Sequence, residues 1–132
     1  MRNHLKAKGK IDYDYKEDAI FFYNVSPNEG HEYVKSHDID GLIIDLDSHD
    51  HVVAIELLDA SEKLNVSKAM LMEIKGGKFS AKVNKKLIKL AFFLTMVQRN
   101  KERIATLNLE RLNREAIKET ALECAVPNWL LF

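Results

Sequence analysis

Hydrophobic and polar positions alternate most clearly between residues 41 and 61 of this chain. Residues 42–46 carry leucine or isoleucine at every second position, and a polar tip follows at residues 47–51. Residues 52–58 then form a nearly continuous apolar run. The alternation predicts a half-buried strand, and the continuous run predicts a strand covered on both faces. Together they predict a β-hairpin.

A helix is predicted directly after this hairpin. Asp59 or Ser61 can cap it, and Glu62 places a carboxylate in the first turn, where the helix dipole favours negative charge. Gly76-Gly77 is expected to end the helical segment, because glycine often follows the last helical turn.

Strands are also predicted before the hairpin. Residues 11–15 alternate apolar and polar side chains, and residues 19–23 are rich in aromatic and β-branched side chains, which suit a pleated surface. A turn-forming cluster occupies residues 26–30, and a third, weaker strand is predicted for residues 31–36.

The second half of the chain carries a second predicted β-hairpin and a predicted C-terminal helix. Apolar residues alternate at 79–83, 88–96 and 103–109, with a polar tip at 98–102. A helix over 85–97 is the alternative, because its lysines also fit one polar helical face. Residues 112–124 predict a helix that Pro127 ends. The expected fold is therefore α+β: an antiparallel sheet with a helix after Ser61, a second hairpin and the C-terminal helix.

Composition indicates a single domain over residues 1–132. The chain holds only two prolines and five glycines, which argues against disorder and against a long linker. Cys124 is the only cysteine, so no intrachain disulfide can form and a reducing cytoplasm is expected. The longest apolar run, residues 90–97, is too short to span a bilayer, and the N-terminal residues do not resemble a secretory signal.

Charge is distributed unevenly although the net charge is zero. Residues 1–62 hold 14 acidic and 6 basic side chains, a balance of −8, and residues 63–132 hold 6 acidic and 14 basic ones, a balance of +8. The favoured interpretation is that the two halves face each other, within one chain or across a dimer. The alternative is a surface for nucleic acid or membrane.

The first half resembles the domain of unknown function 2283, a small bacterial and archaeal family. The pattern begins with Tyr13-Asp14 and the string Asp18-Ala-Ile-Phe-Phe-Tyr23. It continues with Gly41-Leu-Ile-Ile-Asp-Leu-Asp47 and closes with Ile55-Glu-Leu-Leu-Asp-Ala-Ser61, so the resemblance covers about residues 11–62. It supports the hairpin. It implies no catalytic residues, and it implies an antitoxin-like role because some members look like partners of small toxin-like proteins.

The segment from Asp45 to Glu56 carries side chains that metals accept. Asp45, Asp47 and Glu56 occupy positions one, three and twelve of a calcium-loop pattern, but Asp50 replaces its glycine. His49 and His51 lie on one side of a strand and, with Asp47, form the alternative of a zinc site that lacks an identified fourth ligand. Because strands flank this segment, a polar hairpin tip without metal is the favoured interpretation, and no cofactor is expected.

Other chemistry has weaker support in the sequence. Cys124 and Ser61 lack the partners of a nucleophile and are expected to be a core residue and a helix cap. Acidic residues at 12–18, 38–40 and 45–47 are expected to cover a solvated sheet face. A basic set could follow a phosphate backbone, although no aromatic side chains are interleaved with it. Its candidates are Lys85, Lys86, Lys89, Arg99, Lys101 and Arg103.

The apolar terminus is the strongest candidate for an interaction segment. It consists of Trp129, Leu130, Leu131 and Phe132, and it is expected either to fold back on the core or to dock on a second chain. The favoured function is a non-enzymatic interaction protein, acting as a homo-oligomer or with a small protein partner. An antitoxin-like or nucleic-acid-associated regulator is the first alternative, and a metal-dependent hydrolase that uses the 45–56 loop is the second.

Overall fold

The computed structural model describes residues 4–24 and 35–126, and most of them belong to a single mixed sheet. Its strands are β1 (His4–Asp14), β2 (Ala19–Asn24), β3 (Lys35–Asp38), β4 (Leu42–Leu46), β5 (Val52–Leu57), β6 (Ile74–Val83), β7 (Leu87–Gln98), β8 (Lys101–Leu112) and β9 (Thr120–Val126). Two short helices, α1 (Ala60–Leu64) and α2 (Lys68–Leu71), connect β5 to β6. The strand order is β3-β4-β5-β2-β1-β9-β6-β7-β8, with β1 and β9 parallel and all other neighbours antiparallel.

Strand β1 joins two halves of this sheet. Its residues 9–14 pair with β2, and its residues 4–8 pair with β9. The N-terminal half-sheet therefore comprises β3, β4, β5 and β2, and the C-terminal half-sheet comprises β9, β6, β7 and β8. Gly9 lies at the switch, where a Cβ atom would be only 2.8 Å from a ring carbon of Phe79. The absence of a side chain at Gly9 lets β1 pass this close to β6.

The core forms where the sheet curls and its two inner faces pack together. Phe22 of the N-terminal half-sheet lies with its ring centroid 5.2 Å from Phe79 and 4.6 Å from Phe92 of the C-terminal half-sheet. Alternate residues of β4 and β7 are buried, as a half-covered strand requires. The largest fully buried side chains are Phe22, Ile20, Leu42, Ile44, Leu46, Ile55, Leu57, Leu71, Ile88, Leu90, Leu94 and Met96.

The predicted α+β fold class is wrong, because the described chain is predominantly β and residues 112–124 do not form the expected C-terminal helix. Residues 120–126 instead form β9, which pairs with β6 on one side and with β1 on the other. Leu122 and Cys124 are buried while Glu123 between them is partly exposed, which is the period of a strand. The helical spacing of apolar residues was compatible with this segment, but pairing with two neighbouring strands decided its structure.

The helical segment after Ser61 is also shorter than expected. It consists of α1 and α2, of five and four residues, and Gly76-Gly77 lies inside β6 instead of after a helix. Gly77 has φ of +152°, and a Cβ atom there would lie 2.1 Å from the carbonyl oxygen of Phe93. Glycine at this position therefore allows the β7 backbone to approach, and it does not end a helix.

Both predicted hairpins are confirmed. Strands β4 and β5 pair antiparallel, and four of the first five residues of β5 are buried, so both of its faces are covered. Residues 87–98 are a strand and not a helix, and they pair without a register shift with residues 101–112.

The third predicted strand corresponds to β3, which begins at Lys35; residues 31–34 lie outside the described residues.

The opposite charges of the two halves of the chain lie on different outer faces. The outward side chains of the N-terminal half-sheet and β1 include Asp12, Asp45 and Glu56. The apolar side chains that alternate with them along the strands point to the other face, into the core. Those of the C-terminal half-sheet include Lys78, Lys82 and Lys89. Because the inner faces are apolar, these charged groups do not meet across the core.

Candidate functional site

The β4–β5 hairpin tip is organised by a single buried carboxylate. Asp47 is 1% exposed, and its Oδ1 accepts the backbone N–H groups of His49 and His51 at 2.8 and 2.9 Å. Its Oδ2 lies 3.4 Å from Nδ1 of His51. Asp50 adopts a left-handed conformation at the tip and forms an ion pair of 2.9 Å with Lys35 of the neighbouring β3. Asp47 therefore fixes the turn from inside.

The metal candidates of this segment do not converge on one point. Asp45 and Glu56 lie on the outer face of the sheet, where Asp45 accepts a hydrogen bond from Ser36. Asp47 and His51 lie together at the tip, with the ring of His49 centred 6.1 Å from that of His51. Within residues 4–24 and 35–126, no group of three or more His, Cys, Asp or Glu side chains has the arrangement of a metal site.

Glu56 is held in an environment that disfavours its charge. Burial and, to a smaller extent, the negative charge of Asp45 raise the pKa of this carboxyl. Tyr23 lies on the same face, and burial together with Asp12, Glu56 and Asp45 raises the pKa of its hydroxyl. The rings of Phe21 and Tyr23 stack with centroids 6.2 Å apart. This face is acidic and aromatic.

A second polar cluster connects the β1–β2 turn to the start of α1. Asp18 accepts hydrogen bonds from the Tyr13 hydroxyl at 2.7 Å, from the Ser61 hydroxyl at 2.7 Å and from the Ser61 N–H at 3.1 Å. Burial alone would raise the pKa of Asp18, but these hydrogen bonds and the charge of Lys68 outweigh it and lower the pKa. A carboxylate with a lowered pKa and three accepted hydrogen bonds is a poor general base, so this cluster fastens α1 to the sheet. Ser61 thus serves this contact, while Ser67 is the side-chain cap of α2.

The predicted basic set is divided between two ends of the C-terminal half-sheet. Lys85 and Lys86 lie at the β6–β7 turn, whereas Arg99 lies at the β7–β8 turn and Lys101 and Arg103 follow it. The twelve residues of β7 separate these turns by roughly 40 Å, at about 3.3 Å per residue. Lys89 lies between them on the outer face, beside Glu110. The six side chains therefore do not form one patch.

A groove crosses the outer face of the C-terminal half-sheet, and the sequence interpretation missed it. Its volume is about 490 Å³, and its floor contains the small side chains of Ser80, Ala91 and Ala125. Lys78, Phe93, Thr106 and Asn108 also line it, and the Lys78 ammonium lies 5.3 Å from the centroid of the Phe93 ring. The available signal was the run of small residues at the positions that alternate with the buried ones.

Strand β8 forms one edge of the sheet in the described part of the chain: no strand lies beyond it, and the short helix α1 lies close to it. It is twelve residues long and contains no bulge against β7. Ile104 and Leu112 project from it and are each 54% exposed. Long regular edges expose unpaired backbone groups and readily accept another strand.

The remaining candidates lie elsewhere. Cys124 faces the core, and burial raises the pKa of its thiol to about 12, so this thiol is unsuited to act as a nucleophile. Trp129, Leu130, Leu131 and Phe132, the predicted interaction segment, lie outside the described residues. None of the helices in the described ranges is long and apolar enough to cross a membrane.

The described residues form a small, predominantly β protein in which the Asp47 carboxylate holds a turn and the Asp18 carboxylate holds a junction. Residues 10–61 match the family described as "Protein of unknown function (DUF2283)". This chain belongs to that family, as the resemblance over about residues 11–62 indicated. Tyr13, Asp18 and Ser61, from the ends of the matched region, are the three side chains that meet at the α1 junction.

Two relatives share most of the chain. A Methanosarcina mazei protein named "Putative hypoxanthine phosphoribosyltransferase" is 38% identical over 92 residues, which cover 70% of this chain and 72% of that protein. An uncharacterised protein of Methanocaldococcus jannaschii is 40% identical over 114 residues, which cover 85% of this chain and 94% of that protein. No solved structure matches the chain.

Proposed function

We propose that this protein is a non-enzymatic interaction module that acts as a homo-oligomer or with a small protein partner. The observation that carries the proposal is the free edge of β8, which presents a regular row of backbone groups over twelve residues. An extended chain can add to such an edge through main-chain hydrogen bonds, with neighbouring recesses selecting its side chains. The groove beside Thr106 and Asn108 is placed to make that selection.

Two further features support this proposal. Ile104 and Leu112 are large apolar side chains that remain in water unless another molecule covers them. The sheet is continuous through β1, which supports our assignment of the whole chain, residues 1–132, to one domain. The single cysteine supports a cytoplasmic location, where thiols stay reduced.

The alternative functions have less support. The separation of Lys85 and Lys86 from Arg99 weakens the nucleic-acid-associated or antitoxin-like alternative, because a phosphate backbone needs a continuous basic track. The lack of convergence among Asp45, Asp47 and Glu56 weakens the metal-dependent hydrolase alternative. The name of the Methanosarcina relative raises phosphoribosyl transfer, but α1 and α2 follow Asp59 and Ser67 and no glycine-rich loop precedes either helix, as a phosphate site would favour.

Light scattering of the protein purified from its own cells tests the proposal. We expect a particle larger than the 15.2 kDa chain, either an oligomer or a complex with a stoichiometric small protein. Ile104→Lys should release a monomer, because it replaces a large exposed apolar side chain of this edge with a charge. Ser48→Lys, an exposed position at the β4–β5 tip, is the matched control and should leave the complex intact. A strict monomer without a bound protein would refute the proposal.

A further inference from the structure

The geometry of β8 points to a particular partner, a second copy of this chain. We propose that two β8 strands pair antiparallel around a two-fold axis, with Asn108 of one copy opposite Asn108 of the other. This inference rests on the proposed function, since it names the partner and the register at the same edge.

The backbone N–H and C=O groups of the even-numbered β8 residues point outward, which here means away from β7 and toward the open edge of the sheet. The Asn113 N–H donates to the Lys86 carbonyl at 2.8 Å, just beyond the last paired residues of the β7–β8 ladder. Because bonding direction alternates along an antiparallel strand, odd-numbered residues bond to β7 and even-numbered residues point away from it. The outward row is Glu102, Ile104, Thr106, Asn108, Glu110 and Leu112.

Two outward carbonyl groups of this row already accept one hydrogen bond each. The Glu110 oxygen accepts from the Arg111 guanidinium at 3.0 Å, and the Leu112 oxygen accepts from the Arg114 N–H at 2.9 Å. A carbonyl oxygen has two lone pairs, so each of these oxygens can accept a second hydrogen bond. The outward N–H groups face no neighbouring strand within the described residues. The row is therefore able to form a second ladder.

Symmetry limits the registers that two identical strands can adopt. Residues directly opposite each other in an antiparallel pair have side chains on the same face of the sheet. A two-fold axis perpendicular to the sheet preserves each face, so opposed residues are both odd-numbered or both even-numbered, and one residue faces its own copy. The choice is therefore which residue lies on the axis.

The side chains select Asn108 for that position. An axis at Thr106 would place Glu102 opposite Glu110, and an axis at Leu107 would place Arg103 opposite Arg111; like charges in such pairs are destabilising. An axis at Ala105 would leave the exposed Leu112 without an opposing residue, and an axis at Leu109 would shorten the paired stretch and leave Ile104 outside it. These registers each leave a charge conflict or an uncovered apolar side chain.

An axis at Asn108 removes both defects. It places Ile104 opposite Leu112, so the two large exposed apolar side chains of the strand cover each other in both copies. Leu107 then faces Leu109 on the inner side, and Thr106 faces Glu110 on the outer side. The charged hairpin tip before Ile104 lies beyond the paired stretch. Thr106 and Asn108 also line the groove, so the grooves of the two copies would meet at the axis on one face.

The same substitution at two neighbouring positions tests this register. Asn108→Lys places two lysines opposite each other at the axis, and it should raise the dimer dissociation constant by up to about fivefold at low salt, with partial recovery at high salt. Thr106→Lys places each lysine opposite Glu110 of the other copy, so it should leave the dissociation constant unchanged or lower it. Sedimentation velocity of the full chain over a range of concentrations measures both. Circular dichroism melts check that both variants are folded.

Each outcome decides the inference. Weakening by Asn108→Lys alone supports it. Equal weakening by both lysines, weakening by Thr106→Lys alone, or no effect of either would overturn the register. A wild-type chain that is monomeric alone but carries a stoichiometric small protein in its own cells would overturn the self-pairing while leaving the proposed function intact. A chain that is monomeric in both preparations would overturn both.

Discussion

The buried carboxylate of Asp47 gives the most direct test of how the β4–β5 tip is held. In Asp47→Ala, the N–H groups of His49 and His51 lose the oxygen that accepts both of them. A hydrogen bond to a charged group contributes about 1.5–3 kcal/mol net, and water can reach the exposed tip to replace part of the loss. We therefore expect the free energy of unfolding to fall by about 2–4 kcal/mol, a large fraction of the roughly 5–15 kcal/mol of a typical domain.

Urea denaturation measures this change as a lower midpoint with an unchanged slope. Asp47→Asn keeps an acceptor oxygen and should lose less stability than Asp47→Ala. His49→Ala removes an exposed ring whose backbone remains, so we expect a change within about 0.5 kcal/mol. A chelator should not move the wild-type midpoint. An Asp47→Ala variant as stable as wild type would contradict this role of Asp47, and so would a chelator that destabilises the wild-type protein but not this variant.

Three further predictions concern other parts of the sheet. Gly77→Ala should lower the thermal midpoint severely or prevent folding, because its Cβ would lie 2.1 Å from the Phe93 carbonyl oxygen; a melt close to wild type would contradict the close approach. Glu56→Gln should raise stability at neutral pH, because burial and Asp45 raise the pKa of Glu56, so the folded protein favours its protonated form. Denaturation across pH should show the free energy of unfolding of wild type rising relative to that of the variant as pH falls through the pKa of Glu56. Parallel curves for the two proteins would refute this. The pKa of Asp18 is lowered, so its effect has the opposite sign. Its contribution to the free energy of unfolding is present above the unfolded pKa of about 3.9 and is lost as pH falls further. Asp18→Asn should therefore flatten the acid side of the stability curve, and an unchanged acid side would count against this.

The dipolar distribution of charge has a consequence for association. Acidic groups lie on the outer face of the N-terminal half-sheet and basic groups on that of the C-terminal half-sheet, with the apolar core between them. Pairing through β8 leaves both outer faces in water, whereas contact between an acidic and a basic face would be weakened by salt. The dissociation constant of the wild-type dimer should therefore depend only weakly on ionic strength, and sedimentation at low and high salt checks this. A steep loss of dimer at high salt would instead favour contact between the charged faces.

The polar side chains of the candidate site were harder to interpret than the strands. The sequence identified Asp45, Asp47, His49, His51 and Glu56 as a set because they are close along the chain. Strand geometry sends Asp45 and Glu56 to the outer face and turns Asp47 inward to the backbone of the tip. Proximity in sequence thus gave the residue types and not the distances between their functional groups. The contact between Asp18 and Ser61, which are 43 residues apart, has no local signal at all.

Local pattern by itself determined both hairpins and the family, because alternation of apolar residues and the polar tips are properties of short segments. Two other features of the fold depended on the tertiary structure. Residues 120–126 became a strand because β1 and β6 offered backbone partners on both sides, an interaction between segments far apart in the chain. The groove and the free edge of β8 arise from how the sheet curls and where it ends. The close approaches of backbone at Gly9 and Gly77 are likewise set by long-range packing.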